Sequence, residues 1–274
     1  MVIVLRAKRA FKVPVEAECI TPDSFAGKSV DEIGKLQVWE GNRERSLIEL
    51  FSVEGETEAK PEEVSIKIFG DVHKVRRIGT QMSAGEIVVH GDVGFHLGEE
   101  MTGGKILVDG DADSWVGSMM KGGLIEVKGD AGDYVGSTYR GGNTKGMSGG
   151  TIVIHEDVGN ELGYYMRKGI IKVYGNVGQF TGVHMKNGII VVYGNSEGRD
   201  GAEMTGGKIV VCGSVPSVLP TFTVEAVKSR VKINGEKLAG PFYLFKGDIA
   251  EEGEGKLYIS KASNAHLKFY ENLV

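Results

Sequence analysis

Between Ser65 and Gly213 the apolar positions recur with one long period. Copies starting at Ser65, Glu86, Lys105, Leu124, Thr151, Ile170, Ile189 and Lys208 align, and the starts lie 19 residues apart except for one interval of 21 and one of 27. The second slot of each copy is Ile: Ile66, Ile87, Ile106, Ile125, Ile152, Ile171, Ile190 and Ile209. Two residues later stand Ile68, Val89, Val108, Val127, Ile154, Val173, Val192 and Val211. A β-branched pair with period two predicts a short strand whose alternate side chains share one apolar face. Further along come an apolar slot (Leu97, Val116, Leu162) and then a slot that is always Met: Met82, Met101, Met120, Met147, Met166, Met185 and Met204.

A single copy cannot fold alone. Ordering each backbone unit costs about 1–2 kcal/mol, whereas each of its few inward side chains returns only about 1.5–3 kcal/mol. Stacked copies can share hydrogen bonds and burial. The pattern therefore predicts an all-β fold, a right-handed single-stranded parallel β-helix of about eight rungs. Residues 65–213 form the solenoid, residues 1–64 an N-terminal cap region, and residues 214–274 a C-terminal extension folding back on the column. Glycines mark three corners per copy, as at Gly91, Gly98 and Gly104, where a positive φ or close backbone approach is expected. Glu156 replaces Gly at the first corner of one copy, so that corner is expected to differ locally. The predicted core includes Ile87, Val89, Met101, Ile106, Val108, Met120, Ile171, Met185, Ile190 and Met204.

Outside the repeat, strands are predicted near Val2–Leu5, Val13–Ala17 and Leu47–Val53, with helix starts at Thr21-Pro22-Asp23 and at a Ser29/Glu32 capping box. Gly55 to Glu63 reads as the connection into the first copy. Asn234-Gly235 signals a hairpin and Lys256–Ser260 a late strand.

Between the inward pair of each strand, the outer row carries Val88, Leu107, Val153, Val191 and Val210, interrupted by Lys67, Glu126 and Lys172. On a free solenoid this is an exposed apolar stripe, the usual mark of partner contact. Val191→Lys is accordingly expected to leave the chain folded and weaken assembly. His96, Trp115 and Tyr134 precede the second corner on consecutive copies, either as a surface ladder or as a docking patch. The ten residues from Ser137 to Gly146 must leave the column as a loop, and its Tyr139 and Arg140 are residue types that anchor interfaces. The candidate interface is thus Val88, Leu107, Val191, Val210, His96, Trp115, Tyr134, Tyr139 and Arg140.

A net charge of -5 argues against nucleic acid or an anionic membrane as the main partner. No apolar run approaches the ~20 residues of a membrane span, and the N-terminus lacks a signal-peptide pattern. Cys19 and Cys212 are isolated, which fits a reducing cytoplasm. Asp71, Asp92, Asp111, Asp130, Asp157, Asn176 and Asn195 line one corner. Calcium is one reading; side chains capping their own turns is the favoured one. The histidines do not cluster, and no nucleophile elbow or phosphate loop is present. From the residues alone the chain is a scaffold or binding module, with no catalytic, cofactor or metal residues of its own.

The phrase G-x-x-M-x-x-G-x-I-x-V-x-G, at Gly98–Gly110, Gly117–Gly129, Gly163–Gly175, Gly182–Gly194 and Gly201–Gly213, resembles the repeat found in the C subunit of formylmethanofuran dehydrogenase. Tyr139-Arg-Gly and Leu219-Pro-Thr-Phe222 extend the likeness. The resemblance implies a cytoplasmic complex of methanogenesis that reversibly reduces CO2 and forms N-formylmethanofuran. It places a tungsten or molybdenum pterin in the B and D subunits, iron–sulfur clusters in further subunits, and zinc in the amidohydrolase, the A subunit. Two alternatives share the repeat: the C subunit of the bacterial formyltransferase/hydrolase complex, and the C-terminal β-helix domain of glutamate synthase standing alone. A polysaccharide-acting β-helix enzyme needs outward carboxylates on adjacent rungs, where this chain offers Val and Leu.

Overall fold

The computed structural model describes residues 1–55, 60–142 and 144–274. Residues 56–59 of the predicted connection and Asn143 of the insertion lie outside the described residues. The chain is mostly β, with a long mixed sheet of thirteen strands and a second sheet of four.

The strands of the repeat pair in parallel and in register with the copies before and after. Ile87 lies opposite Ile106, Ile106 opposite Ile125, and Ile190 opposite Ile209. A slip by one residue would turn every such Ile outward, so the invariant slot fixes the register. A second line of parallel bridges joins Val72, Val93, Ala112, Ala131, Val158, Val177 and Ser196. The corners are tied as well: the His96 amide donates to the Ser114 carbonyl at 3.1 Å and the Glu100 amide to that of Ser118 at 2.8 Å.

Why the invariant slots are invariant follows from packing between copies. A Cβ placed on Gly98 would lie 2.5 Å from Ile125 Cδ1, and one on Gly104 would lie 2.5 Å from Met82 Cε. Both glycines also have positive φ, 64° and 79°. Ile and Met therefore reach into space that only Gly leaves open, and the three slots hold one another in place. At Glu156 the expected irregularity is absent. Its amide donates to the Gly129 carbonyl at 3.3 Å and its carbonyl accepts from Gly175 at 3.2 Å, continuing the ladder of the other copies.

The ladder also runs beyond both predicted ends. Val2–Ala7 pairs in parallel with Ser65–Phe69, placing Ile3 opposite Ile66 and Leu5 opposite Ile68. Gly255–Ser260 follows Lys208–Val211, with Leu257 opposite Ile209 and Ile259 opposite Val211. Between them a long hairpin, Thr223–Ile233 and Glu236–Gly247, turns at Asn234-Gly235, both residues at positive φ as the dipeptide predicts.

At the N-terminal end, Pro22–Phe25 is capped by Thr21 and Val30–Gly34 by the Ser29/Glu32 box, as expected. The predicted strand Leu47–Val53 is instead a helical turn, Leu47–Leu50, followed by a strand, Phe51–Gly55. Its cause is local: Ser46 and Glu49 form a second capping box, with the Ser46 amide 2.8 Å from Glu49 Oε1. The strand expected over Val13–Ala17 is only Val15–Glu16. It joins Gln37–Glu40, Arg43–Ser46 and Val75–Arg76 in the small sheet.

Candidate functional site

The second corner of each copy builds an aromatic face. His96, Trp115 and Tyr134 all have left-handed φ, 63°, 63° and 65°. That conformation costs roughly 1–2 kcal/mol per residue. It is held because each corner amide bonds to the next copy: the Trp115 amide to Asp133 and the Tyr134 amide to Asn160, both at 2.9 Å. The corner throws the rings outward at the spacing of neighbouring copies, so they stack. His96 and Trp115 centroids lie 5.3 Å apart and Trp115 and Tyr134 4.7 Å apart, the latter pair nearly parallel at 11°.

The insertion folds back over this column instead of standing away from it. The Tyr139 ring packs 5.6 Å from His96 and 6.4 Å from Trp115. Its hydroxyl lies 3.1 Å from His96 Nδ1 and donates to the carboxylate of Glu99. Glu99 is 4% exposed and accepts the Arg77 guanidinium at 2.6 Å. Burial, with Arg77 nearby, pushes His96 down to about 4, so the imidazole is neutral near pH 7. Burial and the bond to Glu99 push the Tyr139 phenol well above its usual range. Arg140 is exposed, pairs with Glu161 and lies 5.8 Å from the Tyr134 ring.

The face continues on the next copies. Tyr165 and His184 stack at 4.4 Å, and Arg199 sits 4.9 Å over Phe180. A cleft of about 290 Å³ opens between Arg140, Glu161, Tyr164, Phe180, Val183 and His184. Aromatic rings and guanidinium groups held by internal partners present a large contact area with little rotamer freedom left to lose, which suits them to protein contact.

The outer row of the strands is divided. Val88, expected on the exposed outer stripe, is buried at 9% exposure, whereas Leu107 is half-buried. Val191 and Val210, expected on an outer docking stripe, are fully buried, because Val231, Ile233 and Phe242 of the hairpin pack onto them. They belong to this chain's own core. Beside the turn, Lys172 reaches Glu236 at 3.3 Å. The predicted inward residues Ile87, Val89, Met101, Ile106, Val108, Met120, Ile171, Met185, Ile190 and Met204 all have 0% exposure.

Asp71 bonds His73 of its own turn, as expected, but from Asp92 onward the Asp/Asn row binds the neighbouring copy instead. Asp92 Oδ1 accepts the Asp111 amide, Asp111 Oδ1 the Asp130 amide (both 2.9 Å), and Asp130 Oδ1 the Asp157 amide at 2.8 Å. Among the described residues no three His, Cys, Asp or Glu side chains converge as a metal site. Burial pushes the Cys19 thiol up to about 12 and Cys212 up to about 11, the opposite of a metal-binding thiolate. The residues here do not fit a metal or metal-pterin centre.

Glu99 and Arg77 were not among the sequence candidates. Their signal was faint: a carboxylate in the slot where the next two copies carry Ser118 and Ser137.

No family model matches the chain. It is 46% identical over 95 residues to the C subunit of molybdenum-containing formylmethanofuran dehydrogenase 1 of Methanosarcina barkeri, a match covering 35% of this chain and 32% of that protein. Over 95 residues it is likewise 46% identical to the C subunit of tungsten-containing formylmethanofuran dehydrogenase 2 of Methanothermobacter wolfeii, covering 35% of each. The chain thus spans about a third of the length of these curated relatives. A far longer match is to a chain of the formyltransferase/hydrolase complex FhcABCD from Methylorubrum extorquens, solved with methylofuran. The TM-score is 0.82 at 31% identity, covering 94% of this chain and 99% of that one.

Proposed function

The chain belongs to the family of formylmethanofuran dehydrogenase C subunits, and from that premise we propose that it is a non-catalytic scaffold. Its repeat would wind as a right-handed parallel β-helix between two capped ends, a rigid column on which larger subunits assemble. The complex is formylmethanofuran dehydrogenase, which reversibly reduces CO2 and forms N-formylmethanofuran in the cytoplasm. Its tungsten or molybdenum pterin, iron–sulfur clusters and zinc would sit in partner subunits, the pterin in the B and D subunits and the zinc in the amidohydrolase. The observation that carries this reading is the likeness over nearly the whole chain to a chain of a multi-subunit C1 complex.

That same likeness favours a second reading, membership of a formyltransferase/hydrolase complex, since the stronger identity to the dehydrogenase chains covers only 35% of this one. In either case the docking surface is the aromatic face of His96, Trp115, Tyr134, Tyr139 and Arg140, joined by Leu107. Anaerobic native purification with mass spectrometry and metal analysis separates the readings. An amidohydrolase and a metal-pterin protein with tungsten or molybdenum establish the first. A formyltransferase without those metals establishes the second, and a lone chain overturns both.

A further inference from the structure

Two inward slots of the ladder are apolar until the copies that begin at Ile170 and Ile189. The inward slot before the mid-copy glycine runs Ile78, Leu97, Val116, Val135 and Leu162, and then becomes Thr181 and Asp200. The bridge line beside it runs through valines and alanines to Ser196. These three polar side chains share one buried site: Thr181 is 0% exposed, Ser196 4% and Asp200 4%. The Ser196 hydroxyl donates to Asp200 Oδ1 at 2.7 Å and accepts the Gly198 amide at 3.0 Å. The Thr181 hydroxyl stands beside the same carboxyl without completing a hydrogen bond of ordinary geometry.

Among the described residues no cation pairs with Asp200. On its own copy, Arg199 turns outward over Phe180 and Glu197 is exposed. Glu203 points to His184, 3.3 Å away on the preceding copy's outer surface. From the tail, Asp248 is occupied with the amides of Glu203 and Ala250, each at 3.0 Å. The tail also closes over this copy with Phe222: a Cβ on Gly201 would lie 3.0 Å from its Cζ. A carboxyl held only by hydroxyls is far better accommodated neutral than ionised.

We propose that Asp200 is an internal proton site that couples closure of the C-terminal end of the ladder to pH, the neutral acid closing it and the carboxylate loosening it. Burial raises the Asp200 carboxyl from 3.8 to about 6. A carboxyl with a raised folded-state value binds more protons folded than unfolded, so its penalty is absent below about pH 4 and complete above about pH 6. Stability of this end therefore falls as pH rises between those limits.

The test is hydrogen exchange of the full chain, corrected for intrinsic rates, read at peptides covering 200–222 from pH 4.5 to 7.5. Opening should increase on the order of ten- to hundred-fold across that range. In Asp200→Asn the profile should be flat, and peptides from the Glu86–Val108 copies should show no such trend in either protein. A flat wild-type profile, or a variant that tracks wild type, overturns the proposal. If Asp200→Asn does not fold, Ser196→Ala removes a donor to the charged form, and its transition should move to higher pH. An unmoved transition overturns the proposal equally.

Discussion

The two ends of the outer strand row carry the same kind of residue and meet different fates. Toward the C-terminal end, Val191 and Val210 are sealed under the chain's own hairpin, whose Val231, Ile233 and Phe242 complete a second small core. Toward the N-terminal end, Leu107 remains half-buried, flanked in the same row by Val88 and Glu126 with no hairpin above them. An apolar stripe on a repeat therefore says that something covers it, and only the topology says whether the cover is the chain itself. The hairpin hydrogen-bonds to the Gly255–Ser260 strand, which pairs directly with Lys208–Val211. Its reach is set by strand length: the turn lands beside Lys172, where Glu236 meets it.

The largest expected effect tests the sealed end. Val191→Lys places an ammonium group under the hairpin with no partner, which costs about 3–5 kcal/mol. Urea unfolding of the variant should show a correspondingly lowered midpoint at unchanged slope. A midpoint equal to wild type would mean that the hairpin does not close over this valine in solution.

A smaller effect asks whether the interior is uniform where the exterior is not. Gly98 and Gly182 face Ile125 and Ile209 in the same way, each leaving 2.5 Å between a built Cβ and the Cδ1 atom, at φ of 64° and 71°. Alanine at either should cost about 2–4 kcal/mol from overpacking and left-handed strain together. Equal losses by chemical denaturation would show that the two halves share one packing rule. A clear inequality would show that the hairpin stiffens its own end.

Smaller again is the contribution of the strap. Tyr139→Phe keeps the ring against His96 and Trp115 and removes the hydroxyl that Glu99 accepts, while Arg77 continues to neutralise that carboxylate. A loss of about 1.5–3 kcal/mol is expected in thermal or urea unfolding, that of one hydrogen bond to a charged acceptor. A larger loss would place the strap among the elements that stabilise the whole ladder.

What could be read from the chain follows from which interactions repeat. The Ile, Met and Gly slots are legible because every copy satisfies the same contacts, so the strand positions and in-register pairing are written many times over. The Asn234-Gly235 turn and the Ser29/Glu32 box are legible because each is a local device. Single events that depend on tertiary pairing were not. Val2–Ala7 and Gly255–Ser260 were legible as strands but not as extensions of the ladder, because they lack the glycine pattern. The Ser46/Glu49 box was hidden inside a run that reads as strand. The Asp row looked like a set of self-capped turns because a side chain's choice between its own turn and the next copy depends on the spacing of neighbouring copies. At the aromatic face the stacked rings were visible, whereas Glu99 and Arg77 emerge only when residues far apart in sequence are brought together.

The smallest effect on stability is the most informative about function. Leu107 lies in the same row as Val191, between Val88 and Glu126, but on a part of the ladder the hairpin does not reach. Lysine there can extend its ammonium into water along the surface, so folding free energy should change by less than about 0.5 kcal/mol. If this end of the row meets a partner protein, the same substitution buries an unpaired charge at the contact. Affinity should then fall at least tenfold, on the order of 2–5 kcal/mol for a desolvated site. Pull-down of the natural complex with Leu107→Lys, beside Val153→Lys farther along the row, reads this directly. Weakened assembly with an intact unfolding midpoint assigns the open end to docking. Unchanged assembly in both variants moves the docking surface wholly onto the aromatic face of Trp115, Tyr134 and Arg140.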